Sequence, residues 1–529
     1  MRDRVVVNSA RPPVRPYVRG SVAALTGREA MAWDRRAIDE LGVPERVLME
    51  SAGRGAASVI QRLYPDGVVI AVVGSGNNGG DALVALRTLA AWGREVRAVL
   101  VGDRPVPDPL LHGWPVWVIG DQELMPDGWA PLFSTAAVVI DGLLGTGVRG
   151  APRERQAIAI RALNDSAPAV VAMDVPSGID PETGAVPGDA VHADVTVGFG
   201  APKLGSLLHP ARALGGRIVA VEIGFPPLGE GRARAFVTSP GWVRERIPRR
   251  SSDTHKNAVG RVAVLGGGPG MAGAVILAAR GALRCGAGIV RIVTRIENRA
   301  IVQAALPEAI HVDAGDGSSV RAALEASDAV VVGPGLGTDE AAEHILAAVA
   351  SGPAIPTLLD ADGLNLAAAG KLDLAGLAHS RPLLLTPHAG EMARLMGDDA
   401  PAADRPGTAR AAAERFGCAV LYKGAPSLVT DASGLLRVDT QGSSDLAAAG
   451  MGDTLSGVCG ALLARGLDPA EAGAVGLFLS GRAAWLAGKG AGLTPTDVLD
   501  RLPDALSERQ DPADTLGISS VIFDADPAR

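Results

Sequence analysis

Residues 68–92 read VVIAVVGSGNNGGDALVALRTLAAW. Val68–Val73 is an unbroken apolar, largely β-branched run, which predicts a strand buried on both faces, as in a parallel sheet. Residues 74–81 are glycine or polar throughout, and a helical pattern resumes over 82–92. Strand, polar glycine loop and helix make the unit of a doubly wound α/β sheet, whose ligands gather outside the strands' carboxyl ends. The loop is not GxGxxG, and no Lys-Ser/Thr follows it, so it is neither the dinucleotide fingerprint nor a P-loop. Asn77, Asn78, Gly79, Gly80 and Asp81 offer hydrogen bonds to a polar ligand instead. A turn-forming Asn-Gly cluster has the same local look, but so long a polar run straight after a core strand favours a binding loop.

Two more predicted strands end in the same way. Residues 137–140 lead into DGLLGTGVRG (141–150), and Val170–Met173 into DVPSGID (174–180). In a parallel sheet the three loops converge on one rim. Asn78, Asp141 and Ser177 would bring amide, carboxylate and hydroxyl oxygens there, the hard donors a simple cation prefers. No His or Cys is among them, which argues against a transition metal. Lys203 follows a further strand and is a candidate contact for an anionic ligand. Upstream, residues 27–63 read as two helices broken at Gly42 and Pro44.

The alternation restarts after a Pro- and Gly-rich linker at 226–232. Predicted strands at Arg261–Leu265, Ala329–Val332, Thr357–Leu359, 382–385 and Ala419–Tyr422 end in GGGPG, GPGLG, DADGLN, TPHAGE and KGAPS, and a further strand is predicted at 289–293. Residues 242–257 are basic and read as irregular. Next comes AAAGMGDTLSGVCGALLARGL, 447–467. Gly450 and Gly452 allow a tight backbone that aims N–H groups at one point. A helix opening at Asp453 adds its free amides and positive dipole end. The result is an anion hole with one carboxylate beside the anion, suited to a general base that deprotonates a hydroxyl attacking a phosphoryl group. An ordinary N-cap aspartate accounts for the same letters. His388 stands at a strand end before a predicted helix, a position fit for ligand contact, and Lys423 at another strand end could steer a phosphate.

The bulk properties agree. A chain of 529 residues exceeds a single core. With 68 glycines and 3% aromatics it suits α/β layers with tight turns. A net charge of −8 with no basic block along the body argues against nucleic acid as a partner. Cys285, Cys418 and Cys459 are scattered, which suggests a reducing compartment and no zinc site. Residues 1–20 are Arg- and Pro-rich without a signal-peptide core. No apolar run is long enough for a membrane span. The expectation is a cytoplasmic, soluble chain with a disordered extension over 1–20, an N-terminal domain over 21–235 and a C-terminal domain over 236–529.

NNGGD (77–81), DGLLGTGVRG, DVPSGID and PKLG (202–205) resemble the NAD(P)H-hydrate epimerase domain across residues 27–223. That resemblance implies a Rossmann-like fold. It implies hydrated-dinucleotide contacts at Asn77, Asn78, Gly79, Gly80, Asp81, Gly145, Thr146, Gly147, Val148, Arg149, Gly150, Ala151 and Asp174. It also implies potassium at Asn78, Asp141 and Ser177. The family has Gly where this chain has Ala82. Asp174 and Lys203 are the candidates for proton transfer. The later motifs, over 242–510, resemble the ADP-dependent NAD(P)H-hydrate dehydratase domain, of ribokinase-like α/β fold. They imply that Ala274, Gly335, His388 and Asp453 contact the hydrate. Lys423, Gly424, Ala425, Pro426, Ser427 and Gly452 would contact ADP, with magnesium on its phosphates. The family commonly has KGAGT where Pro426 and Ser427 stand, and Ser or Thr where Met451 stands. Pro426 removes a backbone donor, and Met451 a hydroxyl. The implied function is repair of hydrated NADH and NADPH, in which the N-terminal domain interconverts the R and S hydrates and the C-terminal domain dehydrates the S form at the expense of ADP, in a homo-oligomer acting on small molecules. A small-molecule kinase with an accessory N-domain, and a non-catalytic nucleotide sensor, are the alternatives.

Overall fold

The computed structural model describes residues 22–527 apart from 106–107, 124–127, 148, 230, 249–252, 254, 256–258, 398–403 and 509–515. The expected extension over 1–20 and the candidate Val148 lie outside the described residues. The chain forms two compact units, one running up to Phe236 and one starting at Val237.

In the first unit the sheet order is Val521–Ala525, Arg217–Val221, Val195–Phe199, Val170–Met173, Ala136–Gly142, Val68–Val73, Val96–Leu100, Trp117–Gly120. Pairing is parallel except at Val521–Ala525. The run over Val68–Val73 behaves as a strand buried on both faces. Val69, Ala71 and Val73 join one core with the helices Glu45–Leu63 and Asn77–Ala91. Ile70 and Val72 join the other, with Phe133, Ile160 and Leu163. Each fully buried Val or Ile contributes about 1.5–3 kcal/mol. The strand order reverses between Val68–Val73 and Ala136–Gly142, so the crevice of a doubly wound sheet opens there.

The C-terminal segment departs from the expected 236–529 domain. Val521–Ala525 pairs antiparallel with Arg217–Val221 in the first unit. Its burial alternates, with Val521, Phe523 and Ala525 buried, the pattern of an edge strand with one face on a core. Arg217 Nε and Nη2 donate to the two Asp524 carboxylate oxygens at 2.8 and 2.6 Å.

In the second unit the strands run Leu436–Val438, Leu428–Thr430, Ala419–Tyr422, Leu383–Leu385, Thr357–Leu359, Ala329–Val332, Arg261–Leu265, Ile289–Thr294, Ile310–Asp313. The first three pair antiparallel and the others parallel. Helices Ala272–Arg284, Met451–Ala464, Pro469–Ala487 and Pro495–Ser507 share the largest core. Residues 240–246 are not irregular: Pro240–Arg246 is a helix whose Ser239 hydroxyl accepts from the Trp242 N–H. Trp242 is buried between the guanidinium groups of Arg246 and Arg437.

Candidate active sites

At the first unit's crevice the helix starts earlier than the sequence pattern predicts. It spans Asn77–Ala91, so NNGGD is its first turn rather than a loop before residue 82. The glycines permit this: a Cβ on Gly79 would lie 2.1 Å from the Gly74 carbonyl oxygen. Arg104, which carries no sequence signal, clamps the turn by donating to the Gly74 and Gly76 carbonyls at 2.8 and 3.2 Å. Asn77 is exposed and donates to Glu45 at 2.6 Å.

Asn78, Asp141 and Ser177 come together around one peptide. Asn78 Nδ2 donates to the Leu144 carbonyl at 2.8 Å, and the Leu144 N–H donates to Ser177 Oγ at 2.9 Å. Ser177 Oγ donates to Asp141 Oδ1 at 2.6 Å, and the Ser177 N–H to Oδ2 at 2.8 Å. Asp141 sits within the end of its strand and is fully buried. Burial pushes its carboxyl up to about 6, against the pull of these hydrogen bonds. The rim beside them, Gly145, Thr146, Gly147, Arg149, Gly150 and Ala151, is exposed or half-buried.

Asp174 and Lys203 meet directly. Lys203 Nζ donates to Asp174 Oδ1 at 2.5 Å, and to the Phe199 and Ala201 carbonyls at 3.1 and 3.2 Å. All three ammonium protons are therefore engaged, and Lys203 is 3% exposed. Asp174 has φ +65°, a left-handed conformation uncommon outside glycine. Asp81 belongs to the same group of charges. Burial first, then the charges of Asp174 and Asp34, hold its carboxyl well above the ordinary range. Asp34, on the helix Gly27–Arg35, is pushed up to about 6 by burial, against the pull of Lys203. Asp34 and Glu45 were missed in the sequence because neither follows a strand.

In the second unit the helix Met451–Ala464 opens two residues before the predicted start. Gly450, at φ +86°, is its N-cap, and no side chain caps it. Asp453 is thus the third helical residue and not an N-cap. The amides of Met451 and Thr454 donate to Ala448 and Gly450 carbonyls. Gly452 and Asp453 amides have no backbone acceptor among the described residues. Burial, then the charge of Asp360, push Asp453 up to about 6, against the opposing pull of Lys423.

Lys423 is half-buried and held by acidic neighbours. Its Nζ donates to Asp360 Oδ1 at 2.7 Å and lies 3.8 Å from Glu391. Burial alone would lower this ammonium, but Asp360 and Glu391 outweigh it and hold it above its ordinary value. His388 caps the helix Ala389–Met396: Nδ1 accepts from the Gly390 and Glu391 amides, and Nε2 lies 3.3 Å from Glu391 Oε1. One nitrogen is thus used structurally, while the side chain stays 54% exposed. Gly335 and Ala274 adjoin: a Cβ on Gly335 would lie 3.0 Å from that of Ala274. Gly424, Ala425, Pro426 and Ser427 form an exposed to half-buried turn. Arg405 holds it from the carbonyl side, donating to Lys423 and Pro426 oxygens at 3.3 and 3.2 Å. The sequence offered no signal for Arg405, which lies on a helix, Arg405–Phe416.

The chain is similar to known proteins. A family model described as NAD(P)H-hydrate dehydratase matches residues 262–504, and one described as YjeF-related protein N-terminus matches 45–205. A bifunctional NAD(P)H-hydrate repair enzyme of Salinibacter ruber is 36% identical over 527 residues, covering 92% of this chain and 96% of its own. The enzyme of that name from Escherichia coli is 36% identical over 463 residues, 85% of this chain and 87% of its own. The crystal structure of ADP/ATP-dependent NAD(P)H-hydrate dehydratase from Bacillus subtilis, co-crystallised with ATP and Mg2+, is 27% identical. It covers 51% of this chain and 96% of its own, with a TM-score of 0.45. Identity sustained at this level along nearly the whole of both chains shows that this chain belongs to the family of bifunctional NAD(P)H-hydrate repair enzymes.

Proposed function

We propose that the chain repairs NADH and NADPH hydrated on the nicotinamide ring, with one activity in each unit. The observation that carries this is Asp453, a carboxylate in the first turn of a glycine-capped helix, engaged in no cap and flanked by Lys423. Asp453 takes the proton of the ring hydroxyl as its oxygen attacks the β-phosphorus of ADP, and AMP leaves. The Gly452 and Asp453 amides stabilise charge on the transferring phosphoryl group. The ring carbon–oxygen bond then breaks, inorganic phosphate departs, a neighbouring ring proton is lost, and the double bond returns. Phosphate is a far better leaving group than hydroxide. Ala274, Gly335 and His388 line the hydrate's side, and residues 423–427 with Gly452 the nucleotide's. Magnesium would neutralise charge on the nucleotide phosphates.

The first unit interconverts the two epimers of the hydrate. Loss and return of hydroxyl at the ring carbon needs an acid for the leaving oxygen and a base for the returning water. Asp81 and Asp174 are two carboxylates in one crevice with different partners: burial raises the Asp81 carboxyl, and Asp174 is ion-paired with Lys203, an arrangement that suits an acid and a base. Asp81, whose carboxyl burial and its acidic neighbours hold well above the ordinary range, is the acid. Asp174, gripped by Lys203, is the base, and Lys203 holds it rather than carrying protons. Asn77 to Asp81 and the 145–151 rim bind the dinucleotide. Asn78, Asp141 and Ser177 fit potassium: the donors are all oxygens, and among the described residues the fully buried Asp141 accepts only from Ser177 and Leu143.

The test is incubation of mixed epimers of hydrated NADH with ADP, followed at the NADH absorbance. Full recovery is expected. Accumulation of a stable phosphorylated nicotinamide would support an ordinary small-molecule kinase instead.

A further inference from the structure

Asp360 lies directly after the strand Thr357–Leu359 and is 1% exposed. A buried carboxylate needs partners for both oxygens, and it has them. Oδ1 accepts from Lys423 at 2.7 Å, and Oδ2 from Ser456 Oγ at 2.7 Å. Ser456 lies on the Asp453 helix, one turn further along, and its hydroxyl also lies 3.0 Å from the Gly452 carbonyl. A Cβ on Gly452 would lie 3.5 Å from Lys423 Nζ and 3.9 Å from Asp360 Oδ2. The lysine–aspartate pair is therefore pressed against the helix turn that carries Asp453. The next residue, Ala361, has φ +48°, a strained setting of the kind that persists where surroundings fix it.

We propose that Asp360 is a positioning residue of the second site, which anchors the Lys423 ammonium and the Ser456 hydroxyl and so holds one cation at a fixed place beside Asp453. The inference rests on the reading of Asp453 as the base. Asp453 is faced by Asp360, by Lys423, and by Asp362 on the helix Asp362–Ala368. Glu391, on Ala389–Met396, faces Lys423 from the other side. Asp360 and Asp362 disfavour the Asp453 charge, and Lys423 favours it. The base is thus set by a balance in which Asp360 acts twice, as a like charge and as the tether of the opposite one. A lysine serving only as a phosphate contact would need no such tether.

The experiment is the pH profile of kcat for dehydration of the S epimer at saturating ADP, with the full chain. The limb falling toward acid belongs to Asp453, since the base is lost as pH drops through its pKa. D360N removes a like charge and frees Lys423 to approach Asp453, so both effects move that limb to lower pH. K423M removes the favouring charge and moves it to higher pH. K423M leaves Asp360 buried and unpaired, which endangers folding. The D360N/K423M double variant removes both charges and returns the limb toward the wild-type position. A thermal melting curve of each full-chain variant, with a transition for the second unit, reports that this unit is folded. Opposite displacements in the single variants, or a D360N displacement reversed in the double, support the proposal. An unmoved limb in D360N, with only a raised KM for ADP, overturns it and leaves the pair to the nucleotide. Undiminished dehydration by D453N overturns the underlying reading of the base instead.

Discussion

Each unit pairs one lysine with one strand-end aspartate, and the two pairs differ in what they leave free. In the first, Lys203 gives all three protons away, to Asp174 and two carbonyls, and Asp174 faces the crevice itself. In the second, Lys423 is tethered to Asp360, which is sealed from solvent, while Asp453 beside it has no ion-pair partner within bonding reach among the described residues. The same two residue types therefore yield a carboxylate gripped directly by its lysine in one unit, and in the other a lysine held by one carboxylate beside a second. A lysine paired with a carboxylate keeps that carboxylate charged; a lysine one step removed only biases it. On the reading proposed above, the acid of the first unit is the neighbour Asp81, whose carboxyl burial raises.

The strongest way to break the comparison is at Asp453. D453N keeps the shape and removes the base, so dehydration is expected to fall about 10²–10⁴-fold, while epimerisation is unchanged. Near-normal dehydration would reduce Asp453 to a first-turn carboxylate that favours the helix dipole. D174N in the full chain should lower epimerisation by about 10²-fold or more. Recovery of NADH from mixed epimers should then stop once the S form is consumed, because a chiral site aligns only one hydroxyl with Asp453. Complete, fast recovery by D174N would separate the first unit from epimer supply. D81N sharpens the same point: the alkaline limb of the epimerisation profile, set by deprotonation of the acid, should vanish there and persist in D174N. A weaker effect is expected from the cation. D141A, or lithium in place of potassium, should loosen hydrate binding to the first unit about 10–100-fold, the scale for disturbing a metal's support. Binding indifferent to both would leave Asp141 as a strand-end carboxylate held by Ser177.

Much of this was legible from the sequence, since strands buried on both faces are unbroken apolar runs. Val68–Val73, Val170–Met173 and Ala329–Val332 declare themselves, and the polar letters after them mark the rim. Helix starts were misplaced by two to five residues at Asn77 and Met451 for one reason. Glycines in a first turn read as loop, yet close approaches such as Gly79 to Gly74 require them inside the helix. Partners brought from elsewhere in the chain were illegible. Arg405 reaches the 423–427 turn, and Asp34 reaches Asp81, only through packing. Asp360 stood in plain view in DADGLN, but nothing local says that it meets Lys423, 63 residues away.

The smallest effect tests how self-contained the first unit is. Its sheet ends in Val521–Ala525, a strand that arrives from the far end of the sequence and covers Arg217–Val221. An open parallel edge presents unpaired amides and carbonyls, so this strand adds backbone pairing as well as the burial of Val521 and Phe523. The Arg217–Asp524 pair is bidentate, with side chains only 20% and 15% exposed, so water screens it less than a surface pair. R217A should then cost the first unit about 1 kcal/mol, the upper end for such pairs. In a unit of this size that is about 2–4 °C in melting temperature. Dehydration should be untouched, because Asp453, Lys423 and Asp360 lie in the other unit. A chain cut after residue 508 loses the pair, the backbone ladder and the apolar face together, so its epimerase should melt well below R217A. If the truncated chain instead melts with the full one, Val521–Ala525 adds no stability to the first unit, and a domain ending near residue 235 is complete by itself.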